Sequence, residues 1–376
     1  MRKIPQAGCL FFTMIALSLT AAAEVKIEQE QALMPAKQLV AAAKKVPLAA
    51  RLSPDGAYML YAPREAPEDS PLVLRELSTG RETPLPLGRL EREMADVFTR
   101  FNFFSSDGRR LILMRPKNDQ ALPQRPEFEL ILYDIGKNQA TPVPIAGGMF
   151  IAHFVFDGQK LVVSPMVGGG VGIQSTWIEL GTMQRRPLTL PGWVQSVSPT
   201  QNLATVYNRA ARPQPATESV TRPSVARSDR RMHFLLWDLS KDQQVAELPT
   251  HPRNSALDDI QAIWSGDGRY VAYYDSPEKE GDRWPVTRIW DTTKQKEVAL
   301  IRDTTPIGPG PAGTDFILTS LGEGPANILV HDASVNRTTT LSDGAKQLVH
   351  AHGERILYIT EKDGQPTLCL ARLATR

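Results

Sequence analysis

One short pattern recurs along the chain and leaves few folds open to it. It reads "LSPDGAYMLY" (52–61), "FSSDGRRLIL" (104–113), "FVFDGQKLVV" (154–163), "VSPTQNLATV" (197–206), "WSGDGRYVAY" (264–273) and "VHAHGERILY" (349–358). A degenerate copy, "GPAGTDFILT" (310–319), lies between the last two. Three residues before the Asp position stands a bulky apolar residue: Leu52, Phe104, Phe154, Val197, Trp264, Val349. Three and five residues after the glycine stand further apolar residues, such as Met59 and Tyr61 or Val271 and Tyr273. Alternation on both sides of a turn predicts a hairpin with one buried face. Asp-Gly supplies the side-chain bond and the positive φ of a tight connection. Asp55-Gly56, Asp107-Gly108, Asp157-Gly158 and Asp267-Gly268 are therefore read as structural turns.

A second signal follows each hairpin. "LVLRELSTG" (72–80), "LILYDIGKN" (130–138), "TWIELGTMQ" (176–184), "FLLWDLSKD" (234–242), "TRIWDTTKQ" (287–295) and "ILVHDASVN" (328–336) are apolar strands ending in an acidic residue and a polar turn. A short fourth strand is expected after each, as in "ETPLPL" (82–87). Units of four antiparallel strands at intervals of about 40–65 residues describe an all-β propeller. Seven blades are expected, with six as the alternative if the degenerate copy is no blade.

These hairpins resemble the TolB-type, WD-like propeller repeat, which also builds the non-catalytic propeller of prolyl oligopeptidase-type peptidases. The resemblance covers nearly the whole of residues 24–376. Thr200-Gln201, Ala312-Gly313 and His352-Gly353 depart from the motif. The resemblance implies architecture and an envelope location; it is almost silent on activity, because one fold hosts many functions.

Residues 1–23 read as a cleavable signal. Arg2 and Lys3 precede the apolar run "CLFFTMIALSLT", and "AAA" (21–23) offers a cleavage site. A periplasmic or secreted protein without a membrane span is expected. Without Arg2 and Lys3, basic and acidic residues balance, which gives no reason to expect nucleic-acid binding. Only Cys369 lies beyond the signal, so no internal disulfide is expected. The last blade shows three strands, and an open ring exposes edges. Part of the N-terminal segment 24–48 is expected to close it. Within that segment, "EVKIEQE" (24–30) reads as a strand and "ALMPAKQLVAAAKKV" (32–46) as a short helix broken near Pro35.

Motifs for chemistry are sparse. The chain has no G-x-S-x-G elbow, no phosphate-binding G-x-x-x-x-G-K-[ST] and no calcium loop. His153, His350 and His352 fall on or beside innermost strands, where imidazoles facing a channel are weak candidates to ligate a metal. The stronger reading makes His350 and His352 polar turn groups, since they occupy the Ser and Asp positions of the motif. No cofactor, metal or catalytic residue is assigned. Trp177, Trp237, Trp264 and Trp290 lie in strands and read as core between blades, whereas Trp284 lies in the polar loop "SPEKEGDRWP".

Connection length separates the two faces of the expected ring. First connections are tight, and second connections are long: 63–71, 115–127, 165–175, 208–231 and 276–285. Insertions gathered on one face mark a binding face. The longest carries Arg209, Arg212, Arg222, Arg227, Arg230 and Arg231 with Glu218 and Asp229 as its acids, and suits an acidic or carboxylated partner. Arg125, Arg209, Arg212, Arg222, Arg227 and Trp284 are the candidate partner-binding residues. The favoured reading is a protein- or peptide-binding scaffold whose partner is another envelope component. The alternatives are a propeller enzyme with a channel-lined, metal-assisted lyase or hydrolase site, and an accessory subunit of a peptidase. Oligomeric state is open.

Overall fold

The computed structural model describes residues 25–39, 50–65, 72–85, 87, 104–116, 128–148, 150–155, 158–165, 174–209, 232–250, 262–276, 284–322, 326–342 and 347–375. They form seven antiparallel sheets arranged as a seven-bladed β-propeller. Six sheets have four strands. Blade two shows three, Arg110–Pro116, Phe128–Asp134 and Gln139–Gly148, with Phe104 bridging Leu111 at its inner edge. The degenerate sixth copy is a full blade, Thr304–Pro309, Asp315–Ser320, Ile328–Asp332 and Arg337–Ser342.

The hairpins do not have one buried face; they have two. Met59 and Tyr61 belong to a cluster with Leu357 and Leu368 of blade seven, while Leu60 and Ala62 join Leu111 and Leu113 of blade two. Val271 and Tyr273 face blade four, and Tyr270 and Ala272 face blade six. Successive residues of a strand point to opposite sides, and each blade is sandwiched between two others. Burial on both faces therefore produces continuous apolar runs such as "YMLY" in place of strict alternation. The pattern fades outward: Val286–Asp291 is buried throughout, and its outer neighbour Lys296–Arg302 is mostly not. Among the described residues, six apolar clusters bridge every interface round the ring.

The tight turns repeat atom for atom. In blade one, Ser53 Oγ donates to Asp55 Oδ1 (2.5 Å), which also accepts the Ala57 amide (3.0 Å), and Gly56 has φ +66°. Blades two and five reproduce this with Ser105, Asp107 and Gly108, and with Ser265, Asp267 and Gly268. Gly158 has φ +65°; Asp157 lies outside the described residues. Blade six builds its turn differently. Asp315, after the turn, accepts the Ala312 amide on its carboxylate (3.1 Å).

In four blades the acidic residue that ends the third strand also has a defined task. Asp134, Asp238, Asp291 and Asp332 each accept amides two or three residues ahead, at 2.9–3.1 Å. The turn then closes through a positive-φ residue: Asn138, Asp242, Gln295 or Asn336. Burial alone would raise the carboxyls of Asp238, Asp291 and Asp332, but the bonds they accept outweigh it and hold them below the usual range.

Val25–Pro35 is the outermost strand of blade seven, antiparallel to Gln365–Thr375, with Val25 opposite Thr375. The helix expected over 32–46 is not formed in its described part. Residues 32–35 continue the strand, and Ala36–Gln38 is a single 3-10 turn. Strand pairing with Leu368 and Cys369 outweighs the helical propensity of this stretch. The segment then reaches blade one, where Leu39 bridges Pro63 and the Arg64 amide donates to the Gln38 carbonyl (2.7 Å).

Candidate functional site

Strand direction assigns the two faces. Each blade starts at its inner strand, so first and third connections emerge on one face and second connections on the other.

On the first face the turns lock to one another. Arg355 Nη1 of blade seven donates to the Gly56 carbonyl (2.5 Å). A Cβ on Gly108 would stand 2.5 Å from the Asp55 carboxylate, and one on Gly158 would stand 3.0 Å from Arg110. Thr200 Oγ1 donates to the Asp267 carbonyl (2.8 Å), and the Asp267 amide donates to the Gly313 carbonyl (2.9 Å). The glycines are needed for this close approach as well as for their φ.

The second face is lopsided. Blades one to five send out long connections, whereas blade seven turns in two residues, Asp363 (φ +50°) and Gly364 (φ +72°), the geometry of a type I′ hairpin. Several long connections are pinned at their base. Arg115 donates through Nε (2.8 Å) and lies 2.6 Å through Nη2 from Glu129 Oε1, directly across the second blade's connection. Ser164 and Ser175 hydroxyls bond at 2.8 Å beneath the third. Beneath the fifth, Asp275 is fully buried and accepts Arg288 Nε (2.7 Å) and the Ser276 amide (2.8 Å), while Arg288 Nη1 donates to Glu297 (2.6 Å). Burial alone would lower the Arg288 pKa, but the two carboxylates reverse this and raise it, so the cation is held firmly. No sequence motif signals these clamps, because each needs the strand register.

Of the candidate partner-binding residues, Trp284 stands exposed beside the fifth connection. Arg209 is the last residue of the strand Leu203–Arg209, paired with Met232 at the mouth of the fourth. Arg125, Arg212, Arg222 and Arg227 lie outside the described residues. The buried Trp177 and Trp237 sit between blades three and four, and Trp264 and Trp290 between four and five.

The histidines near the channel are staples between blades. His350 Nδ1 accepts the Leu52 amide (3.2 Å), joining blade seven to blade one. That bond fixes the tautomer, since a backbone N–H needs a bare nitrogen. His153 Nε2 meets the Val194 carbonyl (3.2 Å), joining blade three to blade four, and must carry the hydrogen there. His350 is therefore no turn group within its own hairpin. Burial pushes His153 and His352 down to about 4 and His350 well below its ordinary range. Among the described residues, no three His, Cys, Asp or Glu side chains gather closely enough to hold a metal ion.

No family model matches the chain, and no curated protein matches it. Solved structures do. The β-propeller domain of the trilobed protease from Pyrococcus furiosus aligns over 94% of this chain and 95% of its own, at 12% identity and TM-score 0.53. Uncomplexed acylaminoacyl peptidase from Pyrococcus horikoshii aligns over 87% of this chain at 15% identity and TM-score 0.52. TolB from Acinetobacter baumannii aligns over 81% of this chain and 77% of its own, at 13% identity and TM-score 0.41. The likeness is one of fold. The chain spans about half the length of the acylaminoacyl peptidase, whose aligned share is 51%. The trilobed protease propeller has an open velcro topology, whereas here Val25–Pro35 closes the seventh blade.

Proposed function

We propose that this propeller is an exported binding module that captures a protein or peptide on the face of the long second connections. The observation that carries this reading is the contrast between the faces. One face is spent on turn-to-turn locking through Gly56, Gly108 and Thr200. The other presents its loops on pinned bases at Arg115–Glu129, Ser164–Ser175 and Asp275–Arg288. Rigid scaffolds with variable loops on one face are how repeat folds recognise partners.

Arginines at 125, 209, 212, 222 and 227 supply forked donors for carboxylates, and Trp284 adds an exposed ring. The partner is accordingly an acidic protein or peptide of the envelope, with export directed by residues 1–23. The test is affinity capture from envelope extract with the full chain and with a variant lacking 211–229. The expected result is one saturable partner, lost in the variant, at an unchanged melting temperature. An identical capture profile for both proteins overturns the reading.

A further inference from the structure

Comparison of the repeated turns with one another singles out blade two. The residue after the turn glycine is an arginine in blades two and five, Arg109 and Arg269, and the next residue is an arginine in blades two and seven, Arg110 and Arg355. Two of these four serve the fold. Arg269 donates to Asp291 (2.8 Å), and Arg355 donates to the Gly56 carbonyl (2.5 Å). In blade two the counterpart of Asp291 is Asp134, which lies 3.4 Å from Lys137 Nζ instead. Among the described residues, the guanidinia of Arg109 and Arg110 make no hydrogen bond or ion pair. Arg110 is nevertheless held in position. Its Cζ lies 5.7 Å from the centre of the Phe154 ring of blade three, and Gly158, lacking a Cβ, leaves room for Nη2.

Arg109, Arg110 and Lys137 line a groove of ≈ 580 Å³ on the tight-turn face, bordered by Tyr58 of blade one and Gln159 of blade three. Asp107 and Asp134 also line it, and each is engaged by its own turn. Asp107 Oδ1 accepts the Ser105 hydroxyl (2.5 Å) and the Arg109 amide (3.1 Å), and Asp134 Oδ1 accepts the Lys137 amide (3.0 Å). Two unengaged forks and an ammonium thus meet in one groove of a size that suits a small molecule. A phosphomonoester matches this set, with nearly two negative charges and three acceptor oxygens for forked donors. We propose that this groove binds a phosphomonoester, with its phosphate on Arg109 and Arg110 and its polar body towards Tyr58 and Gln159.

Glucose 6-phosphate is the probe, titrated calorimetrically into the full chain at fixed ionic strength. Glucose keeps the body without the charge. The phosphate ester is expected to saturate one site, at least about tenfold tighter than glucose, a difference of about 1.4 kcal/mol. Arg109→Gln and Arg110→Gln are each expected to weaken it at least about tenfold. Lys241→Gln removes a like charge from the corresponding turn of blade four, where Lys241 pairs with Asp238, and is expected to leave binding unchanged. Vesicles of phosphatidylcholine with and without phosphatidic acid form a second arm. Saturation by phosphatidic acid vesicles alone, lost in the same two variants, assigns the phosphomonoester to a lipid headgroup. Saturation by neither probe, or an equal loss in Lys241→Gln, overturns the proposal. The comparison of glucose 6-phosphate with glucose on the unaltered protein decides the matter even where an arginine variant fails to fold: equal affinity for the two overturns the proposal. The variant lacking 211–229 retains phosphate-ester binding, so failure here and failure of partner capture are separable.

Discussion

Glycine at the tight turns answers two demands that residue-level reading separates. Gly108 has φ +69°, and an added Cβ would stand 2.5 Å from the Asp55 carboxylate, which is itself held by Ser53 and Ala57. Gly353 has φ +56° with nothing within 4 Å of an added Cβ. Alanine at Gly353 should cost only the left-handed backbone term, about 1–2 kcal/mol. Alanine at Gly108 should cost that and a further ~1–2 kcal/mol for displacing a fixed neighbour. Urea denaturation of the two variants checks this, and equal losses would show that the turn-to-turn contact carries no energy. The turn itself was legible in the sequence, because Ser53, Asp55 and Gly56 act on their own backbone. The contact from Asp55 to Gly108 was not, because it joins residues that only the closed ring makes neighbours. Blade six escaped the motif for a local reason: its carboxylate, Asp315, follows the turn it caps.

The closing strand decides the stability of blade seven. Met34 is buried in one cluster with Leu52 and Leu368, and Val25 and Ile27 pack against the cluster that holds Ile356 and Tyr358. Glu30 accepts the Tyr358 hydroxyl and pairs with Lys362. Deleting 25–35 removes this apolar burial, on the order of 5 kcal/mol, and bares the edge of Gln365–Thr375. The expected outcome is a lower melting temperature in scanning calorimetry, accompanied by self-association in sedimentation. An unchanged melting temperature would show that the ring holds without its outermost strand. Closure by the N-terminal segment was readable from strand counting. The continuation of the strand through Pro35 was not, because pairing of Ala32 and Met34 with Cys369 and Leu368 outweighed their local helical propensity.

At the scale of the whole molecule, buried histidines among the described residues set the acid limit. His153, His331 and His352 are pushed from 6.5 to about 4, and His350 is pushed well below 6.5. Between pH 6.5 and 4 the unfolded chain therefore binds protons that the native chain refuses, and stability falls as pH drops. Asp315 works in the opposite sense. Burial raises its carboxyl to about 6, so the native state holds a proton that the unfolded state releases above 3.8. Among these described groups the net difference is about three protons, and near pH 5 they should lower stability by about 4 kcal/mol per pH unit. Urea midpoints from pH 4 to 8 test this, with a plateau expected above 6.5. His331→Phe should flatten the slope by about one proton; an unaltered slope would remove His331 from the account. None of this was legible beforehand, since a histidine in a strand carries no mark of the neighbour that buries it.

The pairing of Val25 with Thr375 also sets an order of events. Six blades are made of strands adjacent in the chain and assemble from local contacts, whereas the seventh waits for two segments separated by almost the whole described sequence. Contacts of such separation form late and slow the overall rate. The entropy of bringing the ends together grows only weakly with length, so the delay is kinetic and the closed ring is not destabilised by its size. Until the last strand arrives, the first has no partner and the ring has two open edges. A nascent chain of this design is most exposed to misassociation in the interval between completing its sixth blade and its seventh.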